Sequence, residues 1–215
     1  MNNVTEPRTI QRYSTSQRIN HWIIAITFIL LAISGLALFH PSFYWMSNLL
    51  GGGVWTRILH PFIGVVMFLC FFVFAARMFT HNLIEKRDLE WVRKSPDMLN
   101  LKNENLPEQG RYNGGQKLLF FTLIILMLGL LATGVVMWRS YFSYLFPIEV
   151  IRVASLLHAL FGFAIICAII MHIYAGIWVK GSVKAMTRGT VTHGWAWKHH
   201  RAWLREIRDN PSHEK

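Results

Sequence analysis

Charged residues are scarce in this sequence, and cysteines are scarcer still. Only 15% of the 215 residues are charged, whereas 53% are apolar, a balance unlike that of an ordinary soluble domain. The two cysteines, Cys70 and Cys167, stand alone in apolar segments. The sequence therefore has no C-x-x-C-H motif for covalent haem attachment and no cysteine set for an iron–sulfur cluster. These absences exclude a c-type cytochrome and an iron–sulfur protein.

Long apolar segments make up most of the chain. About 20 apolar residues cross a bilayer as a helix, and four segments approach or exceed that length: His21–Phe39, Ile58–Phe79, Lys117–Trp138 and Val153–Val179. Their apolar residues are not confined to one face, as they would be in a surface helix of a soluble protein. The sequence therefore predicts an all-α integral membrane four-helix bundle that forms one domain over residues 1–215.

Basic residues are concentrated at the two termini and in the middle of the chain. Of 22 lysines and arginines, only Arg57, Arg139 and Arg152 lie in the other two connections. Positively charged segments stay in the cytoplasm, which predicts cytoplasmic termini, a cytoplasmic loop 80–116 and a bacterial inner-membrane location. Topology and contact with anionic membrane lipids then explain the net charge of +11 better than nucleic-acid binding does.

The cytoplasmic tail, residues 180–215, alternates aromatic and basic residues from Trp195 to Arg208. This pattern predicts a helix lying in the interface of the inner leaflet. A solvated helix, or a tail that docks on a partner, is the alternative. Two adjacent histidines in this segment, His199 and His200, are candidates for proton supply.

Four histidines lie within or at the ends of the apolar segments: His21, His60, His158 and His172. Ionisable residues at such depth mark functional sites. With both termini inside, two of these histidines lie at inner depth (His21, His172) and two at outer depth (His60, His158). Each depth then offers two axial ligands to a haem iron, whereas zinc prefers four ligands.

The last apolar segment carries one histidine of each pair. His158 and His172 are separated by about 21 Å along a helix and lie within roughly 40° of the same face. This spacing fits two macrocycles stacked inside a four-helix bundle.

Small residues follow all four histidines at the position one helical turn on: Ala25, Gly64, Gly162 and Gly176. Glycine there leaves room for a flat macrocycle beside its ligand. Close packing between membrane helices is the competing explanation.

Several motifs together resemble the γ subunit, the cytochrome b subunit, of respiratory formate dehydrogenases. The resemblance covers nearly the whole chain, and the segments that carry it are Arg18–Trp22, Arg57–Pro61, Arg111–Lys117, His172–Tyr174, Trp178–Gly181 and Lys198–Trp203. It implies two b-type haems on the ligand pairs named above. It also implies a site for menaquinone or ubiquinone beside the inner haem, with four candidate residues: Asn113, Gly115, Gln116 and His172.

The resemblance implies partners as well. An iron–sulfur β subunit delivers electrons at the periplasmic side, and a molybdenum or tungsten α subunit oxidises formate, so no catalytic residue is expected in this chain. Electrons then pass through the outer and the inner haem to quinone, which takes protons from the cytoplasm. Such complexes are often trimers of heterotrimers.

Two other functions remain open. One is a cytochrome b subunit of a different quinone-linked enzyme, such as a nickel–iron hydrogenase. The other is a haem-free membrane anchor, in which the histidine pairing is a coincidence. Without the resemblance, Asn113–Gln116 is simply a turn before a helix.

Overall fold

The computed structural model describes residues 9–96 and 106–209. Its helices, in chain order, are α1 (Thr15–Phe39), α2 (Gly53–Met78), α3 (Lys86–Lys94), α4 (Gly114–Met137), α5 (Ile148–Trp178), α6 (Ser182–Arg188), α7 (His193–His199) and α8 (Arg201–Asp209). Short 3-10 helices cover Pro41–Leu50, Thr80–Asn82 and Ser143–Leu145, and two short strands are β1 (Thr9–Gln11) and β2 (Thr190–Thr192).

Helices α1, α2, α4 and α5 are long and apolar enough to cross a membrane, with mean hydropathies of 2.5 to 2.6. They confirm the four predicted membrane helices. Each begins three to six residues before its predicted start, because the prediction followed apolarity alone. The first turn of α1, for example, contains Ser16 and Arg18, polar residues that suit the headgroup region rather than the hydrocarbon core.

The chain divides into two compact units. We call the first the helical unit; it comprises Ile19–Ala76 and Phe121–Ile173. We call the second the mixed unit, because it contains both helices and strands; its described residues are 9–18, 77–96, 106–120 and 174–209. The prediction of a single domain over the whole chain stays a prediction.

Large apolar side chains point outward from the helical unit. Leu156 is 71% exposed and Phe163 is 69% exposed. Exposing such large apolar side chains to water costs free energy, whereas exposing them to the hydrocarbon of a membrane does not. Helix α2 continues through Pro61. Since proline has no backbone N–H, the carbonyl of Arg57 loses its helical donor there, and His60 lies within the helix rather than at its end.

The mixed unit has its own hydrophobic core. Strands β1 and β2 pair antiparallel, with Ile10 opposite Val191. Both of these β-branched residues are buried, while their threonine and glutamine neighbours face outward, as alternation in a strand requires. The core around them consists of Ile10, Ala185, Val191, Ala196, Trp203 and Ile207.

The tail differs from the single interfacial helix that was predicted. Its aromatic and basic segment forms two helices, α7 and α8, which are separated at the buried residue His200. Trp203 and Ile207 pack into the core of the mixed unit, so part of the predicted membrane-facing surface is an internal surface. The prediction that the rest lies on the bilayer stays a prediction.

The middle segment predicted as a polar loop contains α3. A buried ion pair joins this helix to the start of α4: Lys117 Nζ lies 2.7 Å from Asp88 Oδ2, and both side chains are 4% exposed. Lys117 also donates to the carbonyl of Leu83 at 2.8 Å. A lysine that apolarity alone would place in a membrane helix is thus held by a carboxylate on α3.

Candidate functional site

The structure brings the four histidines together in the two predicted pairs. The outer pair comes from α2 and α5, with the ring centres of His60 and His158 6.3 Å apart. The inner pair comes from α1 and α5, with the ring centres of His21 and His172 also 6.3 Å apart. One helix therefore supplies a histidine to each level, as its 14-residue spacing predicted.

This spacing of the rings fits one ion held between each pair. A metal–imidazole bond is about 2 Å long, and the ring centre lies about 1.2 Å beyond the bonded nitrogen. Two imidazoles on opposite sides of one ion therefore have their centres about 6.4 Å apart. Across the described residues there is no cluster of three or more His, Cys, Asp or Glu side chains suited to a metal, so the arrangement is one of pairs.

Open space lies beside two of the histidines, at the glycine one turn on. A Cβ atom added to Gly162 or to Gly176 would have no heavy atom of the described residues within 4 Å. At Gly64 the nearest atom would be Leu31 Cδ2, at 3.9 Å. Among the described residues, no neighbouring helix is therefore packed tightly against these glycines, and they leave room for a flat macrocycle beside the paired imidazoles.

Two hydroxyl residues contact the outer pair, and sequence reasoning missed both. Ser34 Oγ on α1 lies 2.7 Å from Nδ1 of His60. Thr133 Oγ1 on α4 lies 2.9 Å from Nδ1 of His158. Each precedes a glycine, Gly35 or Gly134, and a Cβ there would lie 3.6 or 3.3 Å from the histidine Cε1. The sequence feature that could have indicated these contacts is a hydroxyl residue followed by glycine within an apolar segment, as in Ser34-Gly35 and Thr133-Gly134.

The inner pair has different surroundings. Nδ1 of His21 is buried, and no hydrogen-bond partner for it exists in the part of the chain that the structure describes. Aromatic rings lie near the imidazole instead: Trp22 at 5.5 Å and Phe74 at 6.4 Å between ring centres. His172 is exposed at the surface of α5.

The predicted quinone residues fall into both units, with Asn113, Gly115 and Gln116 in the mixed unit and His172 in the helical unit. Asn113 and Gln116 form a reciprocal cap at the start of α4. Asn113 Oδ1 accepts from the Gln116 N–H at 2.9 Å, and Gln116 Oε1 accepts from the Asn113 N–H at 3.0 Å. Both side-chain oxygens are therefore engaged, which leaves the two amide NH2 groups as donors.

Packing against α3 gives Gly115 a reason to be glycine. A Cβ there would lie 2.9 Å from Cζ3 of Trp91, so it is the indole of α3 that approaches the backbone closely. Gly115 therefore lets Trp91 pack beside the cap formed by Asn113 and Gln116.

The two tail histidines are poor proton donors at neutral pH. Burial, and then the guanidinium of Arg12, lowers the pKa of His200 to about 3. Its Nδ1 donates to the carbonyl of Gly110 at 2.8 Å, which suits a neutral ring with a structural role. Burial, and then Lys198, also lowers the pKa of His199.

Arg12 itself is 2% exposed and is surrounded by aromatic rings. Its guanidinium carbon lies 4.4 Å from the ring centre of Trp203 and 5.4 Å from that of Tyr112, and the buried group is stabilised by cation–π contacts. Arg12 also donates to the carbonyl of Arg111, whose guanidinium donates back to the carbonyl of Arg12 at 2.7 Å. This cluster ties the N-terminal segment to the residues that precede α4.

Comparison with known proteins extends along most of the chain. The sequence matches the family described as prokaryotic cytochrome b561 over residues 12–189, a span that includes all four histidines. It is 48% identical over 200 residues to the formate dehydrogenase cytochrome b556(fdo) subunit of Escherichia coli K12, covering 93% of this chain and 94% of that protein.

Two further relatives carry similar names. The formate dehydrogenase cytochrome b556 subunit of Haemophilus influenzae is 41% identical, over 94% of this chain and 85% of that protein. The nitrate-inducible formate dehydrogenase cytochrome b556(Fdn) subunit of Escherichia coli K12 is 38% identical, over 95% of this chain and 94% of that protein.

Proposed function

The chain belongs to the prokaryotic cytochrome b561 family, and on that premise we propose that it is the cytochrome b subunit of a formate dehydrogenase. Relatives with that name match it at 38% to 48% identity over more than nine tenths of its length. They confirm the resemblance identified from the motifs, and they do not favour the alternative of a haem-free anchor.

The ligand assignment is the first part of the proposal. His60 and His158 hold an outer haem b, and His21 and His172 hold an inner one. The observation that carries it is the ring spacing of 6.3 Å in both pairs. Haem b, when bound between two histidines, carries single electrons and leaves no open iron position for oxygen.

Direction is the second part. The basic residues favour cytoplasmic termini, which puts His60 and His158 at the periplasmic level and His21 and His172 at the cytoplasmic level of a bacterial inner membrane. The outer pair would then hold the haem that accepts electrons from an iron–sulfur β subunit. Formate itself is oxidised on a molybdenum or tungsten α subunit, and this chain has no part in that chemistry.

Quinone reduction is the third part. The amide NH2 groups of Asn113 and Gln116 donate hydrogen bonds to the carbonyl oxygens of a menaquinone or ubiquinone. Gly115 contributes by letting Trp91 pack beside this cap, and His172 would contribute as a ligand of the inner haem, which would supply the electrons for quinone reduction. Protons reach the quinone from the cytoplasm.

The first test is a haem count. The full chain, purified in detergent after expression with an adequate haem supply, should give a reduced-minus-oxidised b-type spectrum. A pyridine haemochrome assay should give about two haems per chain, one for each histidine pair. A folded preparation without haem would overturn the proposal and favour a membrane anchor.

A further inference from the structure

The outer histidine pair is held by a repeated arrangement of hydroxyl groups. Ser34 reaches His60 from the neighbouring helix α1, and Thr133 reaches His158 from α4, both at Nδ1. Each pair brings together a serine or threonine inside a membrane helix and a histidine on the next helix in the chain. Two such contacts at one level are a feature that the ring spacing alone does not require.

The hydrogen bonds of these hydroxyls favour Nδ1 as the ring nitrogen that carries the hydrogen. Ser34 Oγ lies 2.8 Å from the carbonyl of Leu30, and Thr133 Oγ1 lies 2.6 Å from the carbonyl of Gly129. A hydroxyl has one hydrogen to donate and two lone pairs. When that hydrogen goes to the carbonyl one turn back, the hydroxyl oxygen accepts from the histidine Nδ1–H.

This assignment leaves Nε2 with its lone pair, which is the atom that can bind iron. Each hydroxyl hydrogen and each Nδ1–H then has an acceptor. A ligand histidine usually donates its other N–H to a fixed acceptor, which sets the orientation of the ring and increases its basicity. At the inner level, Nδ1 of His21 has no such acceptor among the described residues.

We propose that Ser34 and Thr133 are positioning residues of the outer haem, which hold His60 and His158 in the Nδ1–H tautomer. The inference rests on the proposed function, because it assumes that this pair binds haem. A hydrogen-bonded imidazole donates more electron density to the iron, so the two hydroxyls stabilise the ferric form. They therefore lower the midpoint potential of the outer haem relative to the same site without them.

The variants that test this are Ser34→Ala and Thr133→Val, with Ser34→Thr and Thr133→Ser as conservative replacements that keep a hydroxyl. The matched control is Thr27→Ala. Thr27 also lies on α1, and its hydroxyl donates to the carbonyls of Ile23 and Ile24 at 2.8 and 3.1 Å. Among the described residues it forms no hydrogen bond with a histidine. Removing it takes away the same local bonds and leaves the outer pair intact.

The measurements are the haem count, a redox titration that resolves the two haems, and the rate of haem transfer to apomyoglobin. In Ser34→Ala and Thr133→Val we expect two haems, with an upward shift of one midpoint potential and no shift of the other. The shifted haem should leave about 10- to 100-fold faster, as for the loss of other groups that orient a metal ligand. The hydroxyl-retaining variants and Thr27→Ala should behave as wild type.

Two results would overturn the inference: both potentials unchanged in Ser34→Ala and Thr133→Val, or equal shifts of both haems. Absence of haem from the wild-type chain would overturn the proposed function instead, so the two failures are distinguishable. The single variants each remove one hydroxyl and carry the test separately. If one of them fails to fold, the other and its hydroxyl-retaining partner still decide the matter.

Discussion

At the scale of single residues, the polar atoms that already have hydrogen-bond partners determine which atoms can contact a ligand. Asn113 and Gln116 use their side-chain oxygens to cap α4, and their NH2 groups are the side-chain donors that can serve a ligand. Quinone carbonyls accept hydrogen bonds, and these donors match them. In the same way, the hydroxyls of Ser34 and Thr133 donate to backbone carbonyls, so their oxygens can accept from Nδ1–H of the outer histidines.

Replacing the two amides by carboxylates tests the quinone contact. Gln116→Glu and Asn113→Asp keep the oxygen that caps the helix but lose the NH2 donor. Each should raise the KM for quinone by about tenfold, since one lost hydrogen bond is worth about 1.4 kcal/mol. Steady-state quinone reduction by the intact complex, with haem content checked in parallel, measures it.

The start of α1 offers a matched control. Ser14 and Gln17 form the same reciprocal cap, with Gln17 Oε1 accepting from the Ser14 N–H at 2.9 Å and Ser14 Oγ accepting from the Gln17 N–H at 3.3 Å. Gln17→Glu should leave the KM for quinone unchanged. A KM that stays at the wild-type value in both Gln116→Glu and Asn113→Asp would count against the proposed quinone contact.

At the scale of helices and strands, long apolar segments were predictable and short mixed ones were not. Four membrane helices follow from composition alone, since every lipid-facing backbone group must be paired within its own helix. The strand pairing of Ile10 with Val191 joins residues far apart in the chain, and a three-residue strand gives almost no periodic signal. The tail segment forms two helices that are separated at His200. The buried ring of His200 contacts the carbonyl of Gly110, which no local pattern reveals.

The ion pair between α3 and α4 yields a stability prediction. Asp88→Asn leaves the buried ammonium of Lys117 without its nearest carboxylate, and breaking a buried pair in this way costs about 3 kcal/mol or more. Hydrogen–deuterium exchange in α3 and the first turn of α4 should become faster. Helix α5, at the level of His158, should exchange at its wild-type rate.

An exposed pair on the same helix provides the comparison. Lys94 lies 2.7 Å from Glu90, with both side chains about half exposed, and such surface pairs contribute at most about 1 kcal/mol. Glu90→Gln should therefore change the exchange of α3 little. Equal effects of Asp88→Asn and Glu90→Gln would show that the buried pair has no special role.

At the scale of the whole molecule, two features of the sequence locate the candidate site. The distribution of basic residues assigns an inner and an outer side, and the 14-residue spacing on α5 assigns one histidine to each. Helix geometry then determines which partners share a level, so both pairs were predictable from the amino-acid sequence. What was not predictable is the set of neighbours on other helices, such as Ser34 beside His60, because the rotation of each helix about its axis depends on packing.

The most direct test of the central claim, that the histidines act in two pairs, is to compare the haem that survives in each single alanine variant. His60→Ala and His158→Ala should each lose the same haem, leaving one haem per chain with one common midpoint potential. His21→Ala and His172→Ala should leave the other haem, with a different potential, and the exposed His193→Ala should keep both. Partners of one pair that leave different haems, or four variants that all retain two, would contradict the pairing.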